Sequence, residues 1–263
     1  MAKRIVILTG AGTPIAWNAP TTKRLTDIIC ENDTFRSRTG QPIGDWFRDR
    51  LRTYYHKDKD SVNFETILYA LETLSSYYSS VLRNANHEFR VQTPAFFDPK
   101  DDFNELLDFD RLYDSEHSSW VSHDHLHKTY NWWNDIDYFF ENVYTTFVNI
   151  LVYQIFTYEN QILNTSNNKI NDDLQDFFRF YDQGILRTYS LNYDRLFTHI
   201  GKIDFFEGFV KHADGKKIFD SNLVLKSRDV NCHYSIHGNI YFHTDLHSIE
   251  LKSEPVYYGV PHC

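Results

Sequence analysis

The sequence lacks any apolar run long enough to span a membrane, and its first residues predict a β-strand rather than a signal peptide. Neither secretion nor a membrane anchor is therefore expected. Internal repeats and low-complexity tails are also absent from the 263 residues. A chain of this length can bury a substantial core, either as one large domain or as two unequal ones.

Cysteine is scarce in this sequence. Cys30, Cys232 and Cys263 lie far apart and form no C-x-x-C pair. The sequence therefore predicts neither a disulfide framework nor a zinc ribbon. We expect a protein of the reducing cytoplasm that holds no metal.

An excess of basic residues is missing as well, because the net charge is −9. This charge argues against nonspecific nucleic-acid binding by the chain alone, although another chain of an assembly could hold nucleic acid. The 21 Phe, 18 Tyr and 5 Trp could stack on bases. We favour the alternative that they pack in the core.

The sequence does contain helical periodicity, most clearly over Phe64–Leu82, with Asn63 as a candidate N-cap, and over Ile136–Tyr158. Shorter helices are predicted at Thr21–Cys30, Trp46–Tyr55, Leu174–Tyr181 and Arg195–Ile200. From Asn84 to Asn134 the periodicity is lost, which predicts a long and partly irregular segment.

Strand patterns stand at the two ends of the chain. Ile5–Leu8 is a short apolar run, and the later candidates are Ile185–Ser190, Asp204–Val210 and Val230–His237. The simplest fold is a single α/β domain over residues 1–263, with a Rossmann-like, mostly parallel sheet. A helical insertion of about Asp45–Tyr181 would interrupt the sheet.

Polar or glycine residues follow three of these strands: Gly10-Ala11-Gly12, Asn192-Tyr193-Asp194 and His237-Gly238. In an open α/β sheet, ligands bind outside the carboxyl ends of the strands. The three segments are therefore expected to converge on one site. A glycine turn after a strand also brings backbone N–H groups to a phosphate.

Taken together, these segments resemble the motifs of the sirtuin superfamily. Gly10, Ala11, Gly12 and Pro20 match the opening Gly-Ala-Gly…Gly-Ile-Pro motif, with Asn18-Ala19 in place of Gly-Ile. Asn is the least surprising substitute for a glycine in left-handed geometry. Ser190–Asp194 matches the Thr-Gln-Asn-x-Asp motif, and His237-Gly238 matches the catalytic His-Gly.

Departures from the family motifs are informative too. Thr22-Lys23 replaces the Phe-Arg pair of the deacylases, and only Cys263 follows the His-Gly, where the family has a four-cysteine zinc ribbon. The sequence resembles the divergent sirtuin-like branch of bacterial antiphage defence, as does its segment Val62–Leu68. That resemblance implies hydrolysis of NAD, the substrate, to nicotinamide and ADP-ribose.

The resemblance also implies roles for individual residues. Asn192 would position a water molecule or the ribose hydroxyls, His237 would accept a proton, and Asp194 would orient the site. Backbone amides of Gly10, Ala11, Gly12 and Thr13 would hold the pyrophosphate. The remaining candidates for nucleotide binding are Pro20 and Gly238.

Each motif also has a structural alternative. Asn192 and Asp194 could be turn or cap residues before the short helix, His237 a strand-end residue, and the glycines a tight turn. Alternative functions are protein deacylation, ADP-ribosyl transfer, and a module that senses NAD or ADP-ribose without turnover. A dehydrogenase is disfavoured because no acidic residue near positions 30–35 clearly ends a second strand.

A separate histidine cluster comprises His117, His123, His125 and His127. Their spacing could place three imidazoles on one side of a strand and bind a metal. We favour a solvated loop, because no carboxylate or cysteine stands at a convincing distance. A role in assembly would also suit it.

Only 25 residues follow Gly238, whereas sirtuin domains continue into strands that hold the adenosine half of NAD. The sequence is therefore expected to be the N-terminal part of a longer protein, or to leave an adenosine side that is open or completed by another subunit. Resemblance to the defence branch implies a homo-oligomer, or a partner such as an ATPase, an Argonaute or a fused sensor domain.

Overall fold

The computed structural model describes residues 3–10, 12–56, 58, 61–83, 94–106, 132–165, 169–181, 184–245 and 247–258. The chain divides into two compact units. The first comprises residues 1–21 and 151–257, and the second comprises residues 22–150 and 258–263. None of the helices in the described ranges is both long and apolar enough to cross a bilayer.

The first unit contains a three-stranded parallel sheet. Strand β1 (Arg4–Thr9) pairs with β2 (Ile185–Ser190), which pairs in turn with β5 (Cys232–Ser235). Both pairings are parallel and continue to the carboxyl ends, where Thr9 lies opposite Ser190 and Ser190 opposite Ser235. The predicted mixed α/β class with parallel strands is confirmed.

One face of this sheet packs against two helices of the first unit, α6 (Lys169–Phe180) and α7 (Leu196–Gly201). Phe178, Leu186 and Phe197 form the buried centre of this layer. The residues that alternate with the packed ones, such as Val6 and Leu8, lie on the other face and are each 67% exposed. Strand alternation therefore leaves one covered face and one open face.

A second sheet of the first unit is antiparallel, with strand order β3-β4-β7-β6. Its strands have three residues each: β3 (Phe209–Lys211), β4 (Lys217–Phe219), β6 (Phe242–Thr244) and β7 (Ile249–Leu251). Helix α8 (Ser221–Lys226) follows β4 and is capped by Asp220, whose carboxylate accepts from Asn222 N and Leu223 N. The sequence prediction includes only β3 of this sheet, placed several residues too early.

Helices form the second unit: α1 (Thr22–Cys30), α2 (Ile43–Tyr55), α3 (Phe64–Arg83), α4 (Pro99–Leu106) and the first part of α5 (Trp132–Leu163). Its core is aromatic. Tyr78 stacks on Phe140 with ring centroids 5.8 Å apart, and Phe47 and Phe97 contact the same ring edge-on. For these residues the core interpretation of the aromatic content is confirmed.

Most predicted helices are found within a few residues of their predicted ends. Asn63 is the expected cap of α3, because its side-chain oxygen accepts from the Thr66 backbone N–H at 3.0 Å. The prediction misses α4, which lies inside the segment predicted as partly irregular. Eight residues led by proline give too short a periodic pattern, although Asp101 and Asp102 in the first turn are typical of a helix start.

Candidate functional site

The three predicted segments lie at one edge of the parallel sheet. Gly10 follows β1, Leu191 follows β2 and Ile236 follows β5, all at the carboxyl ends. The ladder extends into these loops, since Leu191 N donates to Thr9 O at 3.0 Å and Ile236 N donates to Ser190 O at 2.8 Å. The expected convergence of Gly10, Asn192 and His237 on this edge is what the structure shows.

The glycine turn is closed by a hydrogen bond from Thr13 N to Gly10 O at 2.8 Å. Neither Gly10 nor Gly12 has a positive φ, and a Cβ on Gly12 would have no atom within 4 Å. The backbone conformation therefore does not require these glycines. The open space beside Gly12 instead gives a ligand close access to the backbone, while Ala11 lies outside the described residues.

A single-turn 3-10 helix, Pro14–Trp17, follows the turn, and Asn18 ends it with φ 60° and ψ 28°. Asn18 thus has the left-handed backbone geometry expected at this position, where the sirtuin motif has glycine. Trp17 fixes this segment to α6 through a 2.6 Å hydrogen bond from its indole N–H to Asn171 Oδ1. Pro20, a few residues further on, is half-buried.

Asn192 lies in the loop after β2, where its backbone N–H donates to the hydroxyl of buried Ser190 at 3.1 Å. This local turn leaves the Asn192 side chain half-buried. Within the described ranges, its amide has no hydrogen-bond partner. It is therefore available to a ligand at the sheet edge.

Asp194 lies in the protein interior, 6% exposed. Its carboxylate accepts hydrogen bonds from the Tyr158 hydroxyl and, at 3.0 Å, from Leu196 N at the start of α7. Burial raises the pKa of this carboxyl, and the hydrogen bonds from Tyr158 and Leu196 act in the opposite direction. Asp194 thus holds the loop in place, and its oxygens are already occupied by protein donors.

Glu159 is a second buried carboxylate, fully inaccessible to solvent, on α5. It accepts from Arg195 N at 3.1 Å and from the Tyr241 hydroxyl at 2.9 Å, and His199 Nδ1 lies at 3.3 Å. Arg195 follows Asp194 directly, and Tyr241 belongs to the loop after His237-Gly238. One carboxylate therefore ties two of the three site loops to the same helix.

The loops after β2 and β5 are also bonded to each other. Ile240 N donates to Tyr193 O at 3.0 Å, and the Asn239 side-chain amide donates to Asp194 O at the same distance. The rings of Tyr193 and His237 are 6.4 Å apart. Asn192 and His237 are thus carried by adjacent, mutually bonded loops.

His237 itself is exposed, and the next residue, Gly238, has φ 87°. A positive φ of this size strains any residue with a side chain, so glycine is required for the tight turn that presents His237. The imidazole reaches solvent, which gives a proton a direct route away from it. An exposed histidine on a tight turn is suited to proton transfer.

The network residues Tyr158, Glu159, Asn239 and Tyr241 are not among the site residues predicted from the sequence. Glu159 carried a signal, because it lies four residues after Ile155 and three before Ile162 on the apolar stripe of α5. A carboxylate on such a stripe is buried and must find donors. Its partners, up to 82 residues away, could not be identified from local pattern.

His233 contrasts with His237 although both belong to the β5 segment. It is 3% exposed, its Nδ1 lies 2.7 Å from the Thr188 hydroxyl, and its ring stacks on Phe197. Burial, and then the charge of Arg195, lower its pKa from 6.5 to about 4. His233 is therefore a neutral core residue rather than a candidate base.

This shift predicts a pH dependence of stability. Between pH 6.5 and about pH 4 the unfolded chain binds a proton at His233 that the folded protein excludes. The free energy of unfolding therefore decreases as the pH is lowered through this interval. Across that interval the free energy of unfolding should fall by about 3 kcal/mol more in the wild type than in His233→Gln. Urea unfolding at several pH values measures this, and equal losses in the two proteins would refute it.

The part of the chain that the structure describes contains no cluster of three or more His, Cys, Asp or Glu side chains placed to hold a metal ion. The His117, His123, His125 and His127 cluster lies outside the described residues. Its proposed metal, loop and assembly roles thus stay predictions.

Comparison of the sequence with protein-family models finds no match, and a search of curated proteins finds none with significant similarity. Function is therefore inferred from the geometry of the sheet edge and from the three short motifs.

Proposed function

We propose that this protein is a sirtuin-like NAD hydrolase with a Rossmann-like core, whose site is the carboxyl edge of the β1-β2-β5 sheet. One observation carries the proposal. Three parallel strands in register bring the glycine turn, Asn192 and His237 to the same edge, although they are far apart in sequence. This is the position at which open α/β sheets bind nucleotides.

The glycine turn suits the pyrophosphate. Gly12 offers open space, and the backbone around Gly10 and Thr13 is fixed by the turn hydrogen bond and the Trp17 anchor. Backbone N–H groups approach phosphate oxygens closely only where no side chain intervenes. Pro20 and Gly238 would flank the bound dinucleotide.

The reaction requires little chemistry from the protein. The bond between the ribose C1′ and the nicotinamide nitrogen breaks, nicotinamide leaves with the bonding electrons, and a water oxygen bonds to C1′. Asn192 would hold the water or the ribose hydroxyls, and His237 would take the proton that the water loses and pass it to solvent. Asp194 acts as a positioning residue, because its carboxylate is committed to Tyr158 and Leu196.

Biological context follows from the resemblance alone. We propose a cytoplasmic role in antiphage defence, in which NAD depletion halts the infected cell. The protein would act as a homo-oligomer, or with an ATPase, an Argonaute or a fused sensor domain as its partner.

Nicotinamide release from NAD tests the role of Asn192 in the native full-length protein. Asn192→Ala should lower the rate about tenfold, because it removes one or two positioning hydrogen bonds. Asn222→Ala, an exposed substitution on α8, is the matched control and should retain full activity.

An acetylated lysine peptide added to the assay separates hydrolysis from deacylation. The proposal predicts the same nicotinamide release with and without the peptide. Release that depends on the peptide would favour the deacylase alternative, and full activity of Asn192→Ala would remove this residue from the site.

A further inference from the structure

The open face of the parallel sheet carries an unusual set of side chains. Along β1 and β2 it presents Arg4, Val6, Arg187 and Tyr189, and β5 adds Tyr234. Parallel sheets are ordinarily covered on both faces. In the described residues this face is left partly uncovered, which gives room for a ligand.

A cavity of about 870 Å³ lies on this face, wholly within the first unit. The sheet forms one wall. Phe209, Phe219 and Phe242 of the antiparallel sheet, together with Leu225 of α8, contribute to the opposite side. Its volume lies in the range of small-molecule binding sites.

One end of the cavity is cationic. Arg4, Arg187 and Arg228 line it, although the whole chain has a net charge of −9. Val6 pairs with Arg187 across the sheet, so Arg4, two residues earlier, lies on the same face near Arg187. Glu207 also lines the cavity, but its carboxylate is held by Arg195 at 2.6 Å. The Arg4 guanidinium also lies 3.7 Å from the exposed carboxylate of Asp229, so Arg187 and Arg228 are the main candidates to bind a phosphate.

The other end of the cavity is aromatic. Tyr189 lies opposite Tyr234 on the neighbouring strand, with ring centroids 5.8 Å apart. The Tyr234 hydroxyl is shielded from solvent beside Cys232, so Tyr234 offers a ligand its ring rather than its hydroxyl. A base that stacks on the two rings would cover them from water.

The spacing of the two ends suits a nucleotide. Arg187 and Tyr189 are two residues apart on β2, which places them about 7 Å apart along the strand. This is comparable to the separation of base and 5′-phosphate in a nucleotide. An acidic peptide would use the arginines but would leave the tyrosine pair without a role.

We propose that this cavity binds a phosphorylated nucleoside, with the phosphate at Arg187 and Arg228 and the base against Tyr189 and Tyr234. The proposal does not depend on NAD hydrolysis, because none of these residues belongs to the catalytic set. Gly238 also lines the cavity, so an occupant would adjoin the turn that presents His237.

Calorimetric titration of the native full-length protein with ADP tests the proposal. Arg228→Gln and Arg187→Gln should each weaken ADP binding about tenfold or more, because each removes a charge-assisted contact to phosphate. Arg228 is exposed, so its replacement leaves the fold intact even if Arg187→Gln, which loses a bond to Ser227 O, is less stable. Arg179→Gln, an exposed change on α6, is the control and should leave the affinity unchanged.

Two further arms define the ligand class and separate this site from the catalytic edge. Inorganic phosphate and adenosine should each bind more weakly than ADP. Gly12→Val, which fills the open space beside the glycine turn, should leave ADP affinity within about twofold. The proposal is overturned if millimolar ADP does not bind, if both arginine variants bind it normally, or if phosphate alone binds as well as ADP.

Discussion

Replacing His237 with alanine should lower the rate of nicotinamide release at least about 100-fold at neutral pH, which is the lower end of the range for general acid–base groups. The side chain is exposed and lies on a turn whose shape is set by Gly238 and by the Asn239 bonds. Its removal should therefore change catalysis without changing the fold. Thermal unfolding of the variant should match that of the wild type within about 0.5 kcal/mol.

His243→Ala is the matched control for this experiment. His243 is an exposed histidine on β6 of the same unit, and its loss should leave nicotinamide release unchanged. If His237→Ala retained full activity while folding normally, the base would have to be another group. If both histidine variants lost activity equally, the effect would not be specific to the sheet edge.

Replacing Glu159 with leucine should lower the free energy of unfolding by about 3 kcal/mol or more. The substitution leaves Arg195 N and the Tyr241 hydroxyl buried without their acceptor. Because these donors belong to the loops that carry Asn192 and His237, nicotinamide release should fall as well. Chemical unfolding measures the first effect and the steady-state rate measures the second.

Two other variants calibrate the Glu159 result. Glu159→Gln retains an acceptor oxygen and should lose less stability than Glu159→Leu. Gln161→Leu places the same side chain on an exposed position of α5 and should change stability by less than about 0.5 kcal/mol. Equal stability of Glu159→Leu and the wild type would contradict the assigned role of the buried carboxylate.

Local pattern predicted the parallel strands well. Ile185–Ser190 is found at its predicted bounds, because alternation along a strand with one packed face is visible in sequence. Convergence of the three motifs could also be predicted, since parallel strands end at a common edge. The left-handed backbone conformation of Asn18 could be predicted from its position in the glycine motif.

The antiparallel sheet and the buried hydrogen-bond network were not predicted, for different reasons. The antiparallel sheet has three-residue strands, which are too short for alternation to be distinguished from loop sequence. The network of Tyr158, Glu159, Asn239 and Tyr241 depends on contacts between distant segments. A buried carboxylate indicates that donors exist, but the fold alone decides which residues they are.

Asp194 shows how structure refines a motif residue. Its type and position match the family pattern, yet its oxygens are bonded to Tyr158 and Leu196 rather than turned toward a ligand. Of the roles left open by the sequence, the structure shows the turn before α7, in which the carboxylate accepts from Leu196 N, and a role of Asp194 in orienting the site stays a prediction.

Proton NMR of the wild-type, native full-length protein incubated with NAD tests the proposed hydrolysis. Nicotinamide and ADP-ribose should appear in equal amounts while NAD disappears, with no acyl-lysine substrate present. Unchanged NAD in the presence of the protein and its native partners would contradict the hydrolase assignment.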